Sequence, residues 1–304
     1  MERQADGPEK KRFPAGRAGH RRDRGLTFLA HAKAHATIVG NEDWYSDGTP
    51  KLGSPFTAGN AIERQALVIE VLERAAKTAA RTSNWRRKDA LKKLAEKLKA
   101  CRPNARCGSL ACQSCSRAFQ KAKVAAQRRL IRELEGRRKG RYLTFVTLIP
   151  KDRSYKPGQI ATVDVKKLNR TLKDTLTRIS LNRVVQGSID FSWETKRRER
   201  CLQTHWHLAM WTRKPKRLGE KLKTAFSRAK KYERPVDVRD TDDLGFLAYM
   251  NKVVKMPELL RNARRQLPEI MLLLDRTEPL DALVLMRLRL ATKGHHLRFR
   301  EISR

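Results

Sequence analysis

Two neighbouring strand patterns, at residues 184–195 and 202–212, constrain the fold of this chain more than any other feature. Both are rich in β-branched and aromatic residues, and a charged run at 196–200 separates them. A strand, a charged turn and a second strand predict a β-hairpin. The second strand contains His205 and His207, which share a face because side chains alternate along a strand. Two adjacent imidazoles are typical of the start of a divalent-metal site.

The segments around this hairpin alternate between strand and helix patterns. They predict a strand at 141–149, a helix at 164–181, the hairpin, a helix at 216–230 and a short strand at 235–239. The order is β-α-β-β-α-β, the split βαβ arrangement in which helices pack on a mostly antiparallel sheet. The sequence therefore predicts an α+β fold of this ferredoxin-like or RNA-recognition-like type.

Composition divides the rest of the chain around this central segment, which we place at residues 141–256. Residues 1–60 are rich in Arg, Lys, Gly and Pro without periodicity, which predicts a basic, largely disordered arm. Residues 61–136 form a helical region, with helices predicted near 61–82, 84–100 and 116–134. Residues 257–304 form a C-terminal helical segment, with apolar patterns at 259–274 and 280–290.

Four of the five cysteines fall within fifteen residues of one another in the helical region. They are Cys101, Cys107, Cys112 and Cys115, with the spacing C-x5-C-x4-C-x2-C. Thiolates bind Zn²⁺ tetrahedrally, and a closed shell of four cysteines is typical of structural sites. The sequence therefore predicts a structural zinc between the second and third helices of this region.

A formal net charge of +37 predicts a polyanionic partner, because so large an excess repels itself in an isolated globule. DNA, single-stranded or duplex, is the expected partner. The third helix is its expected contact surface, and its candidate contact residues are Arg117, Lys121, Arg128 and Arg129, with Lys123 and Arg132 on the same helix. The chain has no long apolar run and no apolar signal core, so we expect a soluble, cytoplasmic protein without a membrane partner.

A second chemical motif follows the hairpin by about forty residues. Tyr249 and Lys252 lie three apart on a predicted helix, where they share a face. A tyrosine nucleophile, a nearby cation and a metal held by two imidazoles suit attack on a phosphodiester, because metal and cation offset the developing charge. Two imidazoles need a third ligand, and Asp190, Ser192 and Glu194 share one face of the preceding strand.

These motifs resemble those of the HUH endonucleases, specifically rolling-circle replication initiators with a single catalytic tyrosine. The apolar strand at 145–150 with its threonine is similar to the first family motif. His205-Trp206-His207 is similar to the second, and Tyr249 with Lys252 to the third. The resemblance covers residues 141–256. It favours Glu194 as the third ligand of the catalytic ion, with Asp190 as the alternative, and Tyr249 and Lys252 as catalytic residues.

The resemblance implies a function as well as a fold. Such an enzyme nicks and rejoins single-stranded origin DNA through a 5′-phosphotyrosine intermediate, with Mn²⁺ or Mg²⁺ as cofactor. It initiates rolling-circle replication of a plasmid or phage-like element in a bacterial-type cytoplasm, with host helicase and polymerase as partners. The basic N-terminal half is expected to bind the duplex origin DNA.

Two other interpretations remain open on the sequence. A transposase or a conjugative relaxase of the same superfamily would use the same chemistry. Relaxases often carry the tyrosine before the histidine pair, whereas Tyr249 follows it. A non-catalytic zinc-containing protein that binds DNA or RNA is the other interpretation, because split βαβ sheets also bind RNA. The strand at 145–150 lacks the aromatic pattern of RNA-recognition sheets.

Overall fold

The computed structural model describes residues 58–302 apart from short gaps. The gaps are 103–104, 136, 138–139, 151–152, 182–183, 197–198, 227–234, 241–245, 253–255 and 294–295. The predicted basic arm, residues 1–60, therefore lies outside the described residues except for its last three, which begin the first helix. The boundaries predicted between the four segments stay predictions.

Three helices form the region before the sheet, close to where periodicity predicted them. They are α1 (Ala58–Arg81), α2 (Trp85–Ala100) and α3 (Gln113–Glu135). Asn84 caps α2, its side chain accepting a hydrogen bond from the Arg87 backbone N–H at 3.2 Å. α3 is buried along most of its length, because it lies between the other helices and the remainder of the chain.

The sheet has the predicted order of elements, with two small additions after the first strand. Its elements in chain order are β1 (Tyr142–Leu148), β2 (Ser154–Tyr155), a 3-10 turn (Ile160–Thr162), α4 (Val165–Arg178), β3 (Val185–Lys196), β4 (Glu199–Thr212), α5 (Pro215–Phe226) and β5 (Val236–Asp240). Every pairing is antiparallel, and the strands lie in the order β5-β1-β4-β3, with β2 paired to part of β4. The predicted α+β class and antiparallel sheet are confirmed.

The two faces of the sheet differ in character. On one face, the buried Trp206 donates from its indole nitrogen to Asn169 Oδ1 of α4 at 2.8 Å, and α5 packs against Val238 of β5. The other face carries the polar positions of β3 and β4, including both histidines. It is covered in part by α3 and by the short helices α6 (Phe246–Met250) and α7 (Met256–Asn262).

The C-terminal segment corrects one part of the sequence prediction. The helix predicted at 259–274 appears as α7 and α8 (Leu267–Arg276). The prediction of a helix at 280–290 is wrong, because this segment forms β6 (Leu283–Met286) and the start of β7 (Leu288–Lys293). A further strand, β8 (His296–Glu301), follows. β6 pairs with β3 and covers an edge that would otherwise expose unpaired backbone groups. A short apolar run does not by itself distinguish strand from helix.

One continuous hydrophobic core connects the helical region and the sheet, since buried residues from α1 through β8 belong to it. Val68 of α1, Ile131 of α3, Phe145 of β1 and Phe299 of β8 are all essentially inaccessible to solvent. Within the described part of the chain, none of the helices has the length and apolar character needed to cross a bilayer.

Candidate functional site

The four clustered cysteines converge where α2 ends and α3 begins. Cys101 is the residue that caps α2, and Gly108, with a φ of 76°, turns the connection back. The Sγ atoms of Cys101, Cys107, Cys112 and Cys115 all lie within 4.8 Å of one another. The Cys115 backbone N–H donates to Cys112 Sγ at 3.4 Å, as expected of a tight metal knuckle.

The sulfur separations match a shared ion better than disulfides. The closest pairs are 3.5, 3.6 and 3.7 Å apart. A tetrahedral zinc with bonds of about 2.3 Å separates its sulfurs by about 3.8 Å, whereas a disulfide bond measures about 2.05 Å. All four cysteines are free thiols. They therefore form a group that can hold a metal ion, and its geometry is compatible with structural zinc.

Ionisation of the four thiols is linked through the hydrogen bonds between them. Hydrogen bonds from Cys107, Cys112 and Cys115 lower the pKa of the Cys101 thiol. Hydrogen bonding to Cys101 in turn raises the pKa of Cys112 and of Cys115. Several thiolates cannot share one small space without a cation, so full ionisation of the cluster requires a bound metal.

The second site is built on the β3–β4 hairpin, where the register sets which side chains meet. Asp190 lies opposite His205, and Ser188 lies opposite His207. Gly187, opposite Leu208, makes a close approach possible, because a Cβ there would lie 2.2 Å from the carbonyl oxygen of His207. A glycine is therefore required at this rung to keep the histidine strand in place.

Around His205 the hairpin forms a small triangle of polar atoms. Its Nε2 atom lies 2.9 Å from Ser192 Oγ and 3.1 Å from Glu194 Oε1. Ser192 Oγ in turn donates to Glu194 Oε1 at 3.1 Å. The His205 and Glu194 side chains keep 15% and 24% of their exposure, so solvent or a ligand can reach this corner.

His207 is fully buried and has a partner on each ring nitrogen. Nδ1 lies 3.1 Å from Thr147 Oγ1 of β1, and Nε2 lies 3.3 Å from Asp190 Oδ2. Burial lowers the pKa of His207, against Asp190, which raises it. The net lowering favours the neutral imidazole, which is the form that binds metal ions.

Asp190 connects this histidine to Lys252. Lys252 Nζ lies 2.9 Å from Asp190 Oδ2 in an ion pair. Burial raises the pKa of Asp190, but Lys252 and His207 outweigh it and bring the pKa to about 2. The carboxylate is therefore ionised although it is almost inaccessible to solvent.

The structure brings Tyr249 to the same place from a distant part of the sequence. The Tyr249 ring meets the His207 ring edge-on, with centroids 5.0 Å apart. Lys252 Nζ lies 3.5 Å from the centre of the Tyr249 ring, within reach of a cation–π interaction. Phe246 packs between Phe145 of β1 and Tyr249, with centroid distances of 4.7 and 5.5 Å. We call this set the histidine–tyrosine site: His205, His207, Ser192, Glu194, Asp190, Tyr249 and Lys252.

The histidine–tyrosine site offers two imidazoles and two carboxylates as possible metal ligands, and the buried Oδ1 atom of Asp190 has no hydrogen-bond partner among the described residues. The two imidazoles face different carboxylates, however, and their ring centroids are 6.2 Å apart. Within the described part of the chain, the cysteines alone place three or more ligand atoms within 4.8 Å of one another.

The basic residues predicted to contact DNA are less accessible than their charge suggested. Lys121 and Lys123 are buried, while Arg117, Arg128 and Arg129 are half-buried. Burial lowers the pKa of Lys121 to about 8, with a smaller contribution from Arg117. α3 is therefore a central packed helix, and these basic side chains are buried or half-buried within its packing.

Three residues with clear structural roles at the site have no sequence signal as strong as the histidine pair. Ser188 donates from Oγ to the carbonyl of Met250, the residue after Tyr249. Ser192 bridges His205 and Glu194, and only its position on the same strand face as Glu194 pointed to it. Lys123 lies on the helix of the predicted DNA contacts, and it donates to the carbonyl of Asn251 at 3.1 Å.

Comparison with known proteins adds no family to this description: no family model, no curated protein and no solved structure matches the chain.

Proposed function

We propose that this chain is a DNA strand-nicking and strand-joining enzyme that uses Tyr249 as its nucleophile. The observation that carries the proposal is the contact of the Tyr249 ring with His207 at 5.0 Å, although 42 positions separate the two residues. A tyrosine, a lysine, two imidazoles and two carboxylates are the side chains that a phosphodiester transfer of this type requires.

In the proposed reaction, the Tyr249 hydroxyl loses its proton to solvent, and its oxygen attacks the phosphorus of a single-stranded DNA phosphodiester. A P–O bond to Tyr249 forms, the bond from phosphorus to the 3′ oxygen breaks, and the 3′ oxygen takes up a proton from solvent. The products are a 5′-phosphotyrosine and a free 3′-OH. Because the phosphodiester energy is kept in the covalent link, a later 3′-OH can reverse the reaction and rejoin the strand.

Each residue of the histidine–tyrosine site has a task in this proposal. Lys252, beside the Tyr249 ring, would offset negative charge that develops during the attack, and Asp190 holds Lys252 and His207 in place through contacts of 2.9 and 3.3 Å. His205, His207 and Glu194 would hold a divalent ion, with Asp190 as the alternative carboxylate. That ion, when bound, supplies polarisation of a non-bridging phosphate oxygen.

The proposal extends to the biological role and to the second metal. The order of elements and motifs supports the HUH type of domain. On that basis we propose a rolling-circle replication initiator, with a plasmid or phage-like origin as its DNA and host helicase and polymerase as partners. The cysteine cluster would hold zinc in a structural role, because four thiolates leave no open position for a substrate.

The test is covalent capture of a random-sequence pool of single-stranded DNA in the presence of Mn²⁺. DNA labelled at its 3′ end should migrate with the protein on a denaturing gel, while the released 5′ fragment should be extendable by a polymerase. Tyr249→Phe should abolish this adduct. Tyr142→Phe is the matched control, since Tyr142 is exposed and lies about 17 Å along β1 from the rung of His207.

Two outcomes would contradict the proposal. The first is an adduct formed by Tyr249→Phe as efficiently as by the wild type. The second is the absence of any adduct from the wild type across the pool, which would leave a basic metal-binding protein without this activity.

A further inference from the structure

The described part of the helix that carries Tyr249 is short. It spans the five residues of α6, and isolated helices shorter than about 12 residues are marginal in water. The last carbonyl groups of a helix also lack partners within the helix itself. The placement of Tyr249 against His207 therefore depends on other elements that bind the end of α6.

Two buried donors bind the carbonyl groups that directly follow Tyr249. Ser188 Oγ of β3 donates to the carbonyl of Met250. Lys123 Nζ of α3 donates to the carbonyl of Asn251 at 3.1 Å. The sheet thus holds one of these carbonyls, and the helical region that precedes the sheet holds the other.

The side chain of Asn251 is held by the same face of α3. Its Nδ2 atom donates to Gln127 Oε1, and also to the carbonyl of Leu247 at 2.8 Å. Lys123 and Gln127 are four residues apart, so they lie one turn from each other on the helix. Asn251 is fully buried between them and α6, directly before Lys252.

Burying the charged ammonium of Lys123 costs free energy that packing alone does not explain. Lys123 is 2% exposed, and burial lowers its pKa to about 8, against the nearby charge of Asp190, which raises it. No carboxylate in the described part of the chain lies within ion-pair distance of its ammonium. A methionine of similar length would fill the same space without burying a charge. What the ammonium adds is a donor at the carbonyl end of α6, where a cation is favourable.

We propose that Lys123 and Gln127 form a clamp that positions the nucleophile, so that the helical region contributes to the nicking reaction through the placement of Tyr249. This inference rests on the proposed function of Tyr249. The hydrogen bonds of Lys123 and Gln127 go to Asn251 and not to Tyr249. Both act as positioning residues through Asn251, which fixes the turn between Tyr249 and Lys252.

The test uses Lys123→Met and Gln127→Met, which keep the buried volume and remove the hydrogen bonds. Single-turnover adduct formation should fall about 10- to 100-fold at saturating DNA, because small misplacements of a nucleophile are costly. The DNA concentration at half-maximal rate should not change. Amide hydrogen exchange should rise in residues 246–252 and stay unchanged in β3 and β4. Lys173→Met, a half-buried lysine of α4 on the other face of the sheet, is the control.

The outcomes separate this inference from the proposed function. If the wild type forms no adduct, the proposed reaction fails, and hydrogen exchange still decides whether the clamp holds α6. If both variants react and exchange like the wild type, the clamp is wrong. A rise in exchange over the whole chain would indicate general destabilisation and overturn the positioning role. If Lys123→Met does not fold, Gln127→Met alone decides.

Discussion

The cysteine cluster and the histidine–tyrosine site are assembled in opposite ways. All four cysteines lie within 15 residues, carry one donor type and converge without help from the sheet. The histidine–tyrosine site takes its residues from β3, β4 and the segment around α6, and it mixes imidazole, carboxylate, hydroxyl, phenol and ammonium groups. A site of one donor type within one loop is visible in residue spacing, whereas a mixed site depends on tertiary contacts.

The two sites also differ in how their groups are partnered. The thiols have mainly one another as neighbours, and these contacts raise the pKa of Cys112 and Cys115. In the histidine–tyrosine site, His205 faces Glu194, and His207 faces Asp190, which also pairs with Lys252. The first arrangement groups side chains of one kind, and the second pairs acidic side chains with basic ones.

The largest effect is expected from substitutions that disrupt the cysteine cluster. Replacing Cys112 and Cys115 together with Ser should release the metal and unfold the junction of α2 and α3, because structural zinc supplies roughly 10–16 kcal/mol to small domains. Metal content by mass spectrometry and thermal unfolding are the measurements. Cys201→Ala is the control, because Cys201 is buried in β4 outside the cluster. Full metal content in the double variant would refute the cluster as a site.

A smaller effect separates the two histidines. His207→Ala should lower the free energy of unfolding by about 2–4 kcal/mol, because it opens a cavity and leaves Asp190 without one partner. His205→Ala should lower it by less than about 1 kcal/mol, because this histidine is partly exposed. Both variants should lose adduct formation. Equal stabilities in urea unfolding would mean that burial does not distinguish the two rings.

The last effect concerns the stability of the folded chain in acid. The pKa of Asp190 is about 2 in the folded protein and about 4 in an unfolded chain. Because the folded pKa is the lower one, the stabilisation is present above pH 4 and is lost as the pH falls towards 2. It amounts to roughly 2–3 kcal/mol. Urea unfolding between pH 5 and pH 2 should show a shallower decline for Asp190→Asn than for the wild type, and parallel declines would contradict the ion pair with Lys252.

Local patterns predicted most of the elements, because periodicity and turn residues act over short distances. The strands β1, β3, β4 and β5 and the helices α1, α2 and α3 lie within a few residues of their predicted bounds. The alternation along β3 also placed Asp190, Ser192 and Glu194 on the face of the histidines. The predicted helix at 280–290 failed because a sheet edge, which the sequence does not reveal, determines the structure of that segment.

Tertiary contacts supplied what local patterns could not. Both carboxylates were candidates for a metal, but their division between His205 and His207 depends on the hairpin register and side-chain conformation. The sequence neighbours of Lys123 do not distinguish it from the other basic residues of α3. Its contact with Asn251 joins residues 128 positions apart, so no spacing rule could identify it.

The most direct measurement of the central claim is to identify the residue that becomes linked to DNA. The adduct formed with single-stranded DNA and Mn²⁺ would be digested with protease and nuclease, and the modified peptide would be sequenced by mass spectrometry. The account predicts a nucleotide attached through a 5′ phosphate to Tyr249. A nucleotide on any other residue, or on the 3′ side of the cleaved bond, would contradict it.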